Sequence, residues 1–138
     1  MSDTEKNRKR FEFKLDLRSG VPVYRQIIDL VLGGIASGAL RPGDQLPTVR
    51  HLAVTLAVNP NTVVRAYREL EIREVLETQQ GTGTFVTDKK PKTDDVERRR
   101  RMAQMVGELM ARAGSQGITL RELRDYFNEL WDDQERSA

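Results

Sequence analysis

The stretch Thr48–Tyr67, TVRHLAVTLAVNPNTVVRAY, decides the fold. Thr48 is an N-cap residue type, and Leu52, Ala53 and Leu56 follow at the spacing of one inward helical face. Ala57 and Val58 leave only a short link. Asn59 is a second N-cap, and Pro60 falls at N1, where its missing N–H does no harm. The spacing predicts a further helix from Pro60 to about Arg73, with Val63, Tyr67 and Leu70 facing inward. Two short helices joined by a tight turn make a helix-turn-helix.

Upstream, Phe11, Phe13, Leu15 and Leu17 alternate with charged residues, a period of two that predicts a short strand. After Ser19-Gly20, Pro22 marks a helix start. Val23, Ile27, Ile28, Val31, Leu32 and Ile35 form one apolar stripe, and Gly38 is the expected stop. Gly33-Gly34 weakens this helix and would allow a neighbouring helix to approach closely. Arg41-Pro42-Gly43-Asp44 is a turn by composition. Downstream, residues 75–78 and 84–87 read as strands joined by the glycine-bearing turn 79–83, a hairpin. The order strand, helix, turn, helix, short turn, helix, hairpin describes a winged helix-turn-helix over residues 11–88, with a small two-stranded wing.

The remaining segments frame that unit. Residues 1–10 lack apolar periodicity and are expected to be a disordered leader. Residues 89–95 are polar and contain Pro91, a linker or hinge. Over 96–138, Met102, Met105, Val106, Leu109, Met110 and Ala113 repeat at helical spacing, and Gly114 to Gly117 breaks the helix. Thr119 and Glu122 then form a capping-box pair for a last helix carrying Leu120, Leu123, Phe127, Leu130 and Trp131. The fold class is mainly α (α+β): a winged helix-turn-helix followed by a short two-helix region.

Composition narrows function by exclusion. A chain of 138 residues, 38% hydrophobic and 32% charged, has room for one small domain and a helical appendage. It has no cysteine, so disulfide scaffolds and thiolate metal sites are excluded. Its one histidine, His51, has no Ser/His/Asp partners and no metal-ligand spacing, and Gly81-Thr-Gly-Thr-Phe does not open a helix as a nucleotide loop would. No catalytic residue, metal or cofactor is expected. Met1–Arg10 has no apolar core of a signal peptide, and no run is long enough to span a bilayer, so a cytoplasmic protein is expected. The net charge of +2 is unevenly spread: Lys6, Arg8, Lys9 and Arg10 crowd the leader, Arg98–Arg101 form a second run, and the last twenty residues lean acidic. The basic leader suits phosphate contact and serves equally well as a solvated face.

The residue types around the third helix suit DNA. A helix fits the major groove, and its N-terminal residues meet base edges. Asn61 can pair with adenine, Thr62 can reach a phosphate or a thymine methyl, and Arg65 can read guanine or neutralise phosphate. Asn59 and Thr48 can contact DNA or serve only as caps. At the wing tip, Gly81 lets backbone approach a duplex, and Gln80 and Thr82 can donate hydrogen bonds; an ordinary glycine turn is the plainer reading.

These motifs together resemble GntR-family repressors, specifically the YtrA-like subfamily. The resemblance rests on Val23-Tyr24 with Gln26, Ile35–Gly38, Leu40–Asp44, Leu46-Pro47, Arg50 with Leu52-Ala53, Val58–Val63, Arg65–Tyr67, Glu69-Leu70 and Gly81–Val86, and covers about residues 12–87. It implies that Arg50, Asn61, Thr62 and the wing glycine Gly81, preceded by Gln80, contact an operator. Pro60 and Val64 stand where many members carry arginine, so base readout does not transfer, and Arg65 is the replacement charge. Thr48-Val49 stands for the commoner Ser-Glu, as in the subfamily. The resemblance also implies an autoregulating repressor, often of a nearby transporter operon.

About fifty residues follow the wing, too few for the effector domains usual in that family. Two amphipathic helices cannot bury their apolar faces by themselves. A homodimer is therefore expected, with Met102, Met105, Leu109, Leu123, Phe127, Leu130 and Trp131 at its interface, and it should select an inverted-repeat operator in double-stranded DNA. A methionine-rich face also has the chemistry to take a small apolar effector, though plain dimer core is favoured. The alternatives are a winged-helix protein-interaction module and a nonspecific architectural DNA binder.

Overall fold

The computed structural model describes residues 11–90 and 94–137. The leader expected over 1–10 and residues 91–93 of the expected linker lie outside the described residues. The chain falls into two compact units that divide between Lys89 and Lys90.

In the first unit, helix α1 spans Val23–Ser37. Pro22 precedes it with φ −55°, a pre-set entry to a helix. Gly38 ends it in the left-handed region at φ 83°, its N–H donating to the Ile35 carbonyl. Helix α2 spans Val49–Leu56, and Thr48 Oγ1 caps it by accepting the His51 N–H at 3.1 Å. Helix α3 spans Pro60–Ile72, and Asn59 Oδ1 accepts the Asn61 N–H at 2.8 Å. Between them Ala57 takes the left-handed conformation at φ 55°, which turns the next N–H, that of Val58, back onto the Ala53 carbonyl at 3.0 Å. Ile27, Ile28 and Val31 of α1, Leu52 of α2 and Val63, Ala66 and Leu70 of α3 share one buried cluster.

Strands β1 (Gln45–Leu46), β2 (Leu76–Gln79) and β3 (Gly83–Val86) form an antiparallel sheet in the order β1-β3-β2. The wing hairpin of β2 and β3 thus carries a third strand that pairs Leu46 with Thr84. This strand is too short for alternation to reveal. The Arg41–Asp44 turn aims it: the Asp44 N–H donates to the Arg41 carbonyl at 3.0 Å, and Gly43 takes φ 88°.

Two expectations upstream are corrected. Residues 11–16 form no strand. Phe11, Phe13 and Leu15 are half-buried and alternate with exposed residues, but their period of two comes from packing on the core, without a ladder partner. Gly34 does not admit a neighbouring helix either. A Cβ there would lie 2.7 Å from the Phe11 ring, so the glycine seats that ring, while Gly33 faces open space.

Tyr67 closes the core beneath α2. Its hydroxyl donates to the Pro47 carbonyl at 2.7 Å, and burial pushes the phenol well above its ordinary range. A phenol raised in the folded state contributes stability that is complete below the unfolded pKa of about 10 and is lost as pH rises beyond it. Tyr67→Phe should cost about 1–2 kcal/mol at pH 7, by orphaning the carbonyl. In urea melts the gap between wild type and variant should narrow by about pH 11, because only the wild type has this phenol to ionise on unfolding.

The second unit holds α4 (Asp95–Ser115) and α5 (Leu120–Ser137). Asp94 caps α4 by accepting the Glu97 N–H at 2.7 Å, so this helix begins within the stretch expected as linker. Arg100, and after it Arg101, hold the Glu97 carboxyl below the usual carboxylate range, which neutralises part of the basic run. The expected capping box opens α5: the Thr119 N–H donates to Glu122 Oε2 at 2.8 Å, and the Glu122 N–H to Thr119 Oγ1 at 3.2 Å. No described helix is long and apolar enough to cross a membrane.

Candidate nucleic-acid interface

Helix α3 has two faces. Val63, Ala66, Tyr67 and Leu70 are buried, and Asn61, Arg65, Arg68 and Ile72 are exposed at spacings of four, three and four. That outward stripe carries one amide and two cations and ends on the exposed Ile72. The two carboxylates of α3 are engaged elsewhere: Glu69 pairs with Arg73 at 2.8 Å, and Glu71 accepts the Thr78 hydroxyl at 2.6 Å. The stripe is therefore cationic in a chain whose overall charge is nearly balanced. Its N-terminal end also adds the positive pole of the helix.

Each expected contact residue has a definite place. Asn61 is exposed and Thr62 half-buried in the first turn of α3. Asn59 and Thr48 are exposed, and one side-chain oxygen of each is engaged as a cap. Their capping roles are thus structural, and Asn59 keeps its amide N–H groups for a partner. Arg50 is exposed in the first turn of α2, next to exposed His51.

At the wing, Gln80, Gly81 and Thr82 are exposed. The Thr82 N–H donates to the Gln79 carbonyl at 2.9 Å, and Gly81 takes φ 78° at the third position, the form of a type II turn. Glycine is the residue that adopts this without strain.

Three residues join this surface that the sequence reading did not assign to it. Gln45 of β1 donates from Nε2 to the Thr82 carbonyl at 3.1 Å, bracing the wing tip. Tyr24 of α1 lies under Arg65, with the guanidinium carbon 3.7 Å from the ring centroid. Arg68 was legible, because it lies seven residues from Asn61 on the same helical face. Contacts of Gln45 and Tyr24 bridge residues far apart in the chain, where no spacing rule reaches.

The expected dimer residues are on the second unit. Met102, Met105, Leu109, Phe127, Leu130 and Trp131 are exposed and Leu123 half-buried, while Ala113 is the only buried residue among the described residues of that unit. Phe127 at 54% and Trp131 at 66% exposure lie among the exposed large apolar residues of α5.

The family model for bacterial regulatory proteins of the gntR family matches residues 23–86, from the start of α1 to the end of β3. The HTH-type transcriptional repressor YtrA of Bacillus subtilis is 37% identical over 118 residues, covering 85% of this chain and 90% of its own length. The HTH-type transcriptional regulator Rv1152 of Mycobacterium tuberculosis is 39% identical over 120 residues, covering 87% and 94%. Among solved structures, a transcriptional antiterminator from Listeria monocytogenes EGD-e superposes with a TM-score of 0.65 at 27% identity, over 94% of this chain and 96% of that one.

Proposed function

This chain belongs to the GntR family of bacterial regulatory proteins, whose relatives named above are transcriptional regulators and not enzymes; from that premise we propose that it represses transcription by binding an inverted-repeat operator as a homodimer. The observation that carries the proposal is the stripe Asn61, Arg65 and Arg68 on α3, from which both carboxylates of the helix are withdrawn. Asn61 presents a donor and an acceptor to an adenine edge, and Arg65 presents a planar fork to guanine or to phosphate. Thr62 and the Asn59 amide sit at the positive end of α3, where a phosphate is stabilised. Arg50 adds a backbone contact from α2, and Gln80, Gly81 and Thr82 bring the wing tip against the duplex.

The second unit supplies the partner contact. Met102, Met105, Leu109, Leu123, Phe127, Leu130 and Trp131 pack on the same face of a second copy, and two tethered reading heads then bind far more tightly than one. The repressor acts in the cytoplasm, at the nucleoid, on its own operon, which includes transport genes. Release by a small apolar effector at the methionine-bearing face is compatible with the same chemistry.

Selection from a pool of random duplexes tests this reading. The full chain should enrich an inverted repeat with half-sites about 10 bp apart, centre to centre, and affinity should fall steeply with salt. Salt-dependent binding without enrichment would make the chain an architectural DNA binder. Absence of duplex binding would make the winged unit a protein-interaction module.

A further inference from the structure

We propose that Tyr24 is a positioning residue for DNA recognition: its ring holds the Arg65 guanidinium by one face and leaves the N–H edges free for bidentate contact with the operator. The inference rests on the reading of α3 as the DNA-contacting helix.

An exposed arginine is normally fixed in one of two ways. A neighbouring carboxylate fixes it by consuming N–H donors and cancelling charge. An aromatic face fixes it through the ring quadrupole and consumes neither. Arg65 has the second arrangement, with its guanidinium carbon 3.7 Å from the Tyr24 centroid and no ion pair to any described residue. A flexible side chain is thereby held with its charge and donors available before any ligand arrives, which lowers the ordering cost at binding.

The platform is itself fixed. Tyr24 lies in the first turn of α1, and Gln26 fastens that turn to the preceding loop. The Gln26 amide donates to the Asp16 carbonyl and to the Val21 carbonyl, each at 2.9 Å, and its Oε1 accepts the Asp16 N–H at 2.8 Å. Helices α1 and α3 contribute to one buried core, through Ile27, Ile28 and Val31 on one and Val63, Ala66 and Leu70 on the other. Tyr24 and Arg65 stand at the margin of that contact, so packing of the core sets their distance.

The test is a double-mutant cycle on the full chain. Its probe is the duplex enriched by wild type from the random pool, read alongside a scrambled duplex. Arg65→Ala should weaken binding by about 10-fold or more. Tyr24→Leu, which keeps an apolar side chain but removes the ring, should weaken it by about 5-fold. Tyr24→Phe keeps the face and should stay within about 2-fold of wild type. In the Arg65→Ala background, Tyr24→Leu should cause no further loss. Thermal melts of each variant separate affinity changes from unfolding. An equal loss from Tyr24→Leu in both backgrounds, or none in either, would overturn the role of Tyr24 while leaving wild-type discrimination intact. If wild type itself did not distinguish the two duplexes, the reading of α3 would fall first.

Discussion

If the chain forms the proposed homodimer, Leu130→Asp combined with Trp131→Asp should leave it monomeric and lower its operator affinity by about 100-fold or more. The reason begins with α4 and α5. Helices of this kind owe their stability to packing of an amphipathic face more than to propensity. Here Phe127, Leu130, Trp131, Met102 and Met105 are exposed, and each such side chain contributes about 1.5–3 kcal/mol when fully buried. A second copy of the same face is an economical cover. Two carboxylates on it would be buried without partners, a cost that dimerisation cannot offset. Both positions lie in the second unit, so the melting of the winged unit should be unchanged. Sedimentation equilibrium and a mobility-shift titration read the two effects separately. A monomeric wild type, or a double variant that stays dimeric, would remove this surface from the account.

Leu70→Ala should be among the most damaging single truncations in the winged unit. Leu70 is fully buried on α3, and its carbonyl accepts the Val75 N–H at 2.9 Å where the chain leaves that helix for the wing. Deleting its side chain removes about 2–5 kcal/mol of transfer and cavity energy. A unit of this size has roughly 4–12 kcal/mol in total, so the loss is a large part of it. At about 4–8 °C per kcal/mol, the thermal midpoint should fall by at least about 8 °C. Ile72→Ala on the same helix is the control: Ile72 is 75% exposed, and its truncation should stay within about 0.5 kcal/mol. Urea melts of both variants measure the contrast. Equal losses would mean that α3 is not docked by this face.

Much of the architecture was legible because it rests on local chemistry. Thr48 and Asn59 cap the helices that follow them, Gly38 stops α1, and Thr119 with Glu122 opens α5, each through a bond spanning two or three residues. The buried face of α3 follows from helical period. What stayed hidden depends on partners distant in the chain. The alternation of Phe11, Phe13 and Leu15 was real, but alternation reports burial and not strand pairing. Strand β1 exists because β3 lies beside it. The bond from Gln45 to Thr82 spans 37 residues, and the Tyr24 face beneath Arg65 depends on how α1 and α3 pack. The residue types of the candidate interface could be named from sequence, whereas the groups that hold two of its elements in place could not.

In the proposed function the α3 stripe reads sequence in DNA. The most direct measurement is the ratio of dissociation constants for the enriched duplex and a scrambled one at about 150 mM salt, for wild type and Asn61→Ala. Wild type should prefer the enriched duplex by about 1,000-fold or more, and Asn61→Ala should reduce that preference by about 10-fold while binding the scrambled duplex unchanged. Equal affinity of wild type for the two duplexes, or a preference that Asn61→Ala leaves intact, would contradict it.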